Sequence, residues 1–72
     1  MIHYKVDIFE KLAEKGYTTY RLRKEKILSE SSMQKIREEG NITLKTLNII
    51  CLILNCQPSD VIEVISTDQE SF

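Results

Sequence analysis

The chain has 72 residues and a mass of 8.4 kDa, which leaves room for one small domain. Its hydrophobic fraction of 42% is ordinary for a folded protein, and ten basic residues against eleven acidic ones give a net charge of −1. These values exclude a disordered chain and a uniformly basic protein that coats nucleic acid. The longest apolar stretch runs from Leu47 to Leu54 and is interrupted by Asn48, so it is far shorter than the roughly 20 residues that span a membrane. No signal peptide is recognisable, so we expect a cytoplasmic protein without a membrane partner.

Two cysteines, Cys51 and Cys56, lie in or beside the most apolar segment, whereas the only histidine, His3, is at the opposite end of the chain. A metal site needs several such ligands that converge on one point. We therefore expect buried free thiols, no metal ion and no cofactor. Without a disulfide or a metal, a chain this short depends for its stability on well-capped helices or on a second subunit.

Two glycines and one proline divide the chain. Gly16 follows a stretch in which Ile8 and Leu12 lie on one face of a helix, and it fits the left-handed position that closes a helix. Gly40 is expected to end a later helix in the same way. Pro58 fits the first turn of the last helix.

Three internal helices are expected to begin at a Ser or Thr whose side chain caps the helix. In each case one apolar residue precedes the cap and another follows it by four positions, which is the arrangement of a hydrophobic staple. For the second helix, Thr19 is an alternative cap to Thr18. The three sets are Tyr17, Thr18 and Leu22; Leu28, Ser29 and Met33; and Ile42, Thr43 and Leu47.

These signals predict an all-α chain of five helices, over 5–15, 19–25, 30–39, 44–54 and 58–64. The fourth helix has the clearest apolar stripe and is expected at the centre of the core. The end of the chain has two interpretations, because the β-branched residues of 61–65 also favour a short extended strand. We expect one domain over 1–66 and a flexible tail over 67–72.

Charge is distributed unevenly along the chain. Residues 21–37 contain six basic side chains against two acidic ones, whereas 57–72 contain four acidic side chains and no basic one. A polyanion such as nucleic acid would be attracted to the first region. Charge alone is equally compatible with two ordinary solvated helix faces. Catalysis has little support, since the chain has a lone histidine and neither a phosphate-binding loop nor a metal-protease motif; we expect no enzyme.

The third predicted helix combines few apolar residues with an exposed polar face. Met33 and Ile36 point to the core, and the opposite face carries polar side chains. Gln can bond adenine through two hydrogen bonds, Lys can donate to guanine, Glu can accept from cytosine, and short Ser side chains allow a close approach. This helix follows a short helix and a tight turn, as in a helix-turn-helix. The candidates for contact with bases are Glu30, Ser31, Ser32, Gln34 and Lys35.

Two parts of the chain resemble a known family. Thr18 to Arg23 followed by Leu28 to Arg37 resembles the helix-turn-helix of Cro/C1-type (XRE) regulators. Ile42 to Leu47, and then Leu54 to Glu63, are similar to the ending of the short stand-alone members. The resemblance covers about residues 4 to 65. It implies a five-helix, lambda-repressor-like domain that binds double-stranded DNA and places its third helix in the major groove.

Phosphate contacts are expected at the start of two helices, where backbone N–H groups face the DNA backbone. The resemblance implies that the start of the fourth helix takes part. Simple capping is an alternative role for the threonines, and partial packing on the first helix is an alternative role for Tyr20. The candidates are Thr19, Tyr20, Arg21, Lys24, Asn41, Thr43 and Lys45.

Two positions depart from the family pattern. Arg23 stands where members usually have a small residue, and Ile27 stands where a turn glycine is common. Glu30 and Glu38 would also repel phosphates. These features support an alternative function, a protein-interaction module such as an antitoxin-like or co-regulator subunit that binds DNA weakly.

Apolar residues near the C-terminus predict a homodimer. A small core and the residues Val61, Ile62, Val64 and Ile65 suggest that a second copy covers this surface. The alternative is that these residues close the core of one subunit over the first and fourth helices.

Overall fold

The computed structural model describes residues 1–66, which form four α-helices and a two-stranded sheet. The expected tail over 67–72 lies outside the described residues. A short strand precedes the first helix, and a single turn of 3₁₀ helix and a second strand follow the last. In chain order the elements are β1 (Ile2–Tyr4), α1 (Ile8–Glu14), α2 (Thr19–Lys24), α3 (Glu30–Arg37), α4 (Leu44–Leu54), the 3₁₀ turn Pro58–Asp60 and β2 (Ile62–Val64).

The expected all-α chain of five helices is wrong at both ends of the described chain. The predicted helix over 58–64 is the 3₁₀ turn followed by β2, so the extended alternative is the observed one. Its partner β1 lies at the N-terminus, where no strand was expected and where the first helix was predicted to begin at residue 5. The two strands are antiparallel and pair Ile2 with Val64 and Tyr4 with Ile62. The β-branched residues near 61–65 become extended because this second strand is available for pairing.

The helix starts agree with the sequence patterns. Thr18, Ser29 and Thr43 each have an extended backbone and accept a hydrogen bond from the amide three residues later, at 3.1–3.2 Å. Thr18, rather than Thr19, is therefore the cap of α2. The cap of α1, Asp7, was not expected from the sequence; its carboxylate accepts a hydrogen bond from the amide of Glu10. Each cap satisfies an amide that the helix itself leaves without a partner.

All four helices end in the same backbone motif. A residue with a left-handed backbone follows the helix, and the amide of the next residue donates to the carbonyl five positions earlier at 2.7–3.0 Å. Gly16 is left-handed, as expected. After α3, however, Glu39 takes that conformation and Gly40 follows it, which corrects the expectation for Gly40. The four left-handed residues are Gly16 (φ 85°), Lys26, Glu39 and Asn55 (each φ 54°).

The core joins all four helices to the sheet. Leu12, Leu22 and Ile50 are completely buried, and residues of α3 and Tyr4 of β1 pack into the same cluster. The hydroxyl of Tyr4 donates to the carbonyl oxygen of Gly40 at 2.6 Å, which ties the end of α3 to the sheet. Burial raises the pKa of Tyr4, and Glu39 adds to the effect.

A second small cluster contains Cys51 beside Leu47 and Val61. Cys51 is a buried free thiol, and Cys56 is a half-buried one. Burial, followed by the proximity of Cys56, raises the pKa of the Cys51 thiol. Within residues 1–66, no helix has the length and apolar character needed to cross a membrane.

The left-handed conformation of Glu39 generates a stability prediction. A side chain with a Cβ atom is strained there, whereas glycine is not. Glu39→Gly is therefore expected to raise the free energy of unfolding by about 0.5–1 kcal/mol, measured by urea denaturation. Gly40→Ala is the matched control, since a Cβ at Gly40 meets its nearest atom, the Lys35 carbonyl oxygen, at an ordinary 3.5 Å. A loss of stability in Glu39→Gly would contradict the assignment of this helix end.

Candidate nucleic-acid interface

The outer face of α3 consists of polar side chains that share one side of the helix. Met33 and Ile36 are buried in the core, and Ser31, Gln34 and Lys35 are exposed on the opposite side. Lys35 has no side-chain hydrogen bond or ion pair with any residue of 1–66. This face is therefore open to a partner that approaches from outside.

Glu30, at the first turn of α3, is neutralised by a residue of α2. The Arg23 guanidinium Nε donates to a Glu30 carboxylate oxygen, and both side chains are more than half exposed. The Arg23 side chain is exposed rather than placed between the helices, which explains how α2 and α3 tolerate a large residue there. Of the two acidic residues expected to repel DNA, Glu30 and Glu38, Glu30 thus has a counter-charge within the protein.

Gln34 is held by two neighbours on α3. Its amide nitrogen donates to Glu38 at 2.6 Å, and its amide oxygen accepts from Arg37 at 2.9 Å. Arg37 also lies 5.7 Å from the centre of the Phe9 ring of α1. Before it can contact a base, Gln34 has to exchange these exposed hydrogen bonds for ones to DNA.

Ser32 differs from the other candidates because it faces α4. Its half-buried hydroxyl lies 3.3 Å from the hydroxyl of Thr46, which is only 5% exposed. Thr46 in turn accepts from the Thr43 hydroxyl at 3.0 Å. These contacts bring the first turn of α3 next to the first turn of α4, and so bring Ser32 close to the expected phosphate-binding residue Thr43.

The candidates on α2 divide into two groups. Thr19, Tyr20 and Lys24 are exposed, and the Lys24 ammonium lies 5.6 Å from the centre of the Tyr20 ring. Tyr20 is 67% exposed and is not among the residues that pack against the core.

Arg21 forms the second group. Its guanidinium donates to Glu25 at 2.8 Å and to the Gly16 carbonyl oxygen at 3.3 Å, and it stacks over Tyr17 at 4.1 Å. The hydrogen bond to Glu25 raises the pKa of Arg21. Arg21 is thus occupied within the protein, whereas Lys24 keeps its charge available.

At the start of α4, Asn41 and Lys45 are exposed on either side of the cap residue Thr43. Lys45 forms no ion pair with another described side chain. Asn41 follows Gly40, whose carbonyl is bonded to Tyr4. The segment that leads into α4 is therefore anchored to the sheet on one side and capped on the other.

The C-terminal apolar residues do not form one surface. Val61 is 1% exposed and packs with Leu47 and Cys51, which removes it from any interface and corrects that expectation. Ile62 is half-buried against the core. Val64 and Ile65 remain exposed, at 69% and 43%.

Several contacts at this surface were not anticipated from the sequence. Thr46 was not singled out, although a Thr three residues after a Thr cap is a detectable pattern. The pairing of Arg23 with Glu30 crosses the turn between two helices, and no periodicity within one element reveals it. Among residues 1–66, no group of three or more His, Cys, Asp or Glu side chains is placed to hold a metal ion.

A family model for the Cro/C1-type HTH DNA-binding domain matches residues 8–67, which is well over half of the chain. The chain belongs to this family. The match begins at the first residue of α1 and includes α2, α3 and α4, so β1 lies outside it. The chain has no significant match among curated proteins or among solved structures. As a Cro/C1-type helix-turn-helix, it has a fold that binds DNA, and α2 and α3 are the two helices of the motif.

Proposed function

We propose that this protein is a sequence-specific transcriptional regulator that binds double-stranded DNA as a homodimer, with α3 in the major groove. The observation that carries the proposal is the polar outer face of α3 in a Cro/C1-type helix-turn-helix. Ser31, Gln34 and Lys35 lie together on that face, opposite the buried Met33 and Ile36. Their donors and acceptors suit base edges. Glu30, already paired with Arg23, borders the same surface.

Phosphate contacts are assigned to the side chains that flank α3. Lys24 and Lys45 offer charges that no carboxylate of the described chain neutralises, and Thr19 and Tyr20 lie exposed near the start of α2. Asn41 and Thr43 lie at the start of α4, beside α3. Arg21 takes part only by giving up its contact with Glu25. Such contacts position the protein on DNA without reading the sequence.

A second candidate function is a protein-interaction module with the same fold. The ion pairs favour it, because Arg21 and Arg23 are held by Glu25 and Glu30 and contribute little free positive charge. The two functions differ in their dependence on salt. DNA binding weakens steeply as salt rises, through the release of counterions.

The choice of test DNA follows from a resemblance. The chain resembles the small VanU regulators of VanG-type glycopeptide-resistance operons, so the region upstream of such an operon is the first DNA to test. We expect saturable binding in a polarisation assay with this DNA and much weaker binding to random DNA of equal length. Equal affinity for the two would contradict sequence-specific regulation.

Gln34→Ala tests direct contact with bases. Because an amide can form two hydrogen bonds to adenine, its loss is expected to cost about 1–3 kcal/mol on the specific site. Binding to random DNA is the internal control and is expected to change much less. A parallel loss on both DNAs would leave Gln34 as a surface residue that only holds Arg37 and Glu38.

Lys45→Ala tests the phosphate contacts. Each lost contact is expected to reduce the slope of log K against log salt by about 0.9. Lys15→Ala is the matched control, since Lys15 lines a groove with Leu54 and Cys56 at the far end of α4 from Lys45. Both variants remove one positive charge from each subunit. A difference between their salt slopes would therefore come from a phosphate contact at the start of α4. Identical slopes for the two variants would contradict the proposed orientation.

The homodimer is proposed to use the end of β2. Val64 and Ile65 expose apolar side chains there, and the half-buried Ile62 borders them. A two-fold dimer would present two copies of α3 about 34 Å apart, which corresponds to one turn of DNA and a near-palindromic operator.

Val64→Glu combined with Ile65→Glu tests this interface. The double variant is expected to give a monomer by light scattering at tens of micromolar, because two carboxylates would be buried between the copies. Leu52→Glu is the control, since Leu52 is 71% exposed on α4, away from the sheet. If the double variant kept both the mass and the DNA affinity of the unchanged chain, the β2 interface would be wrong.

A further inference from the structure

Four hydroxyl groups form a continuous chain between the first turns of α3 and α4. The Ser29 hydroxyl donates to Ser32 at 3.0 Å, and the Thr43 hydroxyl donates to Thr46 at 3.0 Å. The two halves meet where Ser32 and Thr46 lie 3.3 Å apart. Ser29 and Thr43 are the N-caps of the two helices, so the chain joins one cap to the other.

The hydroxyl protons of these four residues fix which group donates at each step of the chain. Ser29 and Thr43 each donate inward, so only the Ser32 and Thr46 protons remain to be placed. Thr46 is 5% exposed, and a buried hydroxyl proton without an acceptor is costly. Donation from Thr46 to Ser32 satisfies it and leaves the Ser32 proton at the half-buried, solvent-accessible end of the chain.

Such a contact adds a directional constraint on the angle between the helices to the one that their apolar packing imposes. The hydrophobic effect is non-directional, whereas a hydrogen bond weakens steeply with misalignment. The Ser32–Thr46 contact lies at the first turn of α3, one residue away from Ser31 and two from Gln34. Reading of bases requires these side chains to be held within about half an ångström of their positions.

We propose that Ser32 and Thr46 form a hydroxyl joint that sets the angle of α3 against α4, and thereby the ability of α3 to discriminate between DNA sequences. The inference rests on the proposed function. It makes Ser32 and Thr46 positioning residues and does not require either to touch a base. It also couples the phosphate-binding end of α4 to α3, because the Thr43 hydroxyl belongs to the same chain.

The test compares Thr46→Val, which keeps the shape but removes the hydroxyl, with Thr46→Ser, which keeps the hydroxyl. Thr46→Val is expected to weaken binding to the specific site by roughly three- to tenfold, with little change on random DNA and an unchanged salt slope. Thr46→Ser is expected to retain discrimination. Cys51→Ala, a buried substitution on the same helix, controls for lost stability and is expected to lower the melting temperature without changing discrimination.

A double-mutant cycle with Ser32→Ala separates the joint from independent effects. The double variant is expected to lose no more discrimination than either single variant, because each single variant already removes the contact between Ser32 and Thr46. Additive losses, or equal losses on specific and random DNA, would overturn the proposal. Loss of discrimination in Thr46→Ser would also overturn the proposal.

A measurement without DNA distinguishes failure of the joint from failure of the proposed function. Residual dipolar couplings of the free protein report the angle between α3 and α4. The angle is expected to change in Thr46→Val and to persist in Thr46→Ser. If all three proteins share one angle, the joint is wrong even where DNA binding is established. If the angle changes but the unchanged chain binds no DNA selectively, the proposed function is wrong and with it the role in discrimination.

Discussion

Every helix among residues 1–66 is too short to be stable by itself, and this constraint explains how the helix ends are built. The helices have between six and eleven residues, below the length at which an isolated helix persists in water. Each therefore begins at a side-chain cap and ends in a left-handed residue, after which a backbone amide bonds the carbonyl five positions earlier. The shared core, with Leu12, Leu22 and Ile50 at its centre, holds these capped helices together.

On the charged surface, the arginines and the lysines differ in the contacts that they make. The basic residues of 21–37 carry a local excess of four positive charges, but the arginines among them are engaged in contacts within the protein. Arg21 is bonded to Glu25, Arg23 to Glu30 and Arg37 to Gln34. Lysines such as Lys24, Lys35 and Lys45 are left with their charge uncompensated by any carboxylate of the described chain. In this arrangement the arginines are occupied within the protein, and the lysines keep charges that could attract a polyanion.

Two departures from the family pattern are accommodated locally. Arg23 does not force α2 away from α3, because its guanidinium reaches outward to Glu30. Ile27 does not adopt the left-handed conformation that would suit glycine, since Lys26 takes it one residue earlier. Ile27 instead packs against the core as the residue that follows the helix end. Both changes preserve the two helices and the turn between them, and the left-handed residue of that turn is Lys26.

The sequence by itself determined the helical elements and most of their ends, because caps and apolar periodicity act over only a few residues. Thr18, Ser29 and Thr43 start helices as the staple pattern predicted, and the polar outer face of α3 follows from the burial of Met33 and Ile36. The family resemblance identified the helix-turn-helix, which the match over 8–67 confirms.

Only the tertiary structure decided the features that join distant parts of the chain. The pairing of 2–4 with 62–64 turned a predicted fifth helix into a strand, because a strand needs a partner that local sequence does not show. Val61, immediately before β2, is buried in the core. The Arg23–Glu30 pair and the Ser32–Thr46 contact likewise depend on how α2, α3 and α4 meet. Such contacts are set by the packing of whole helices, which no short-range pattern encodes.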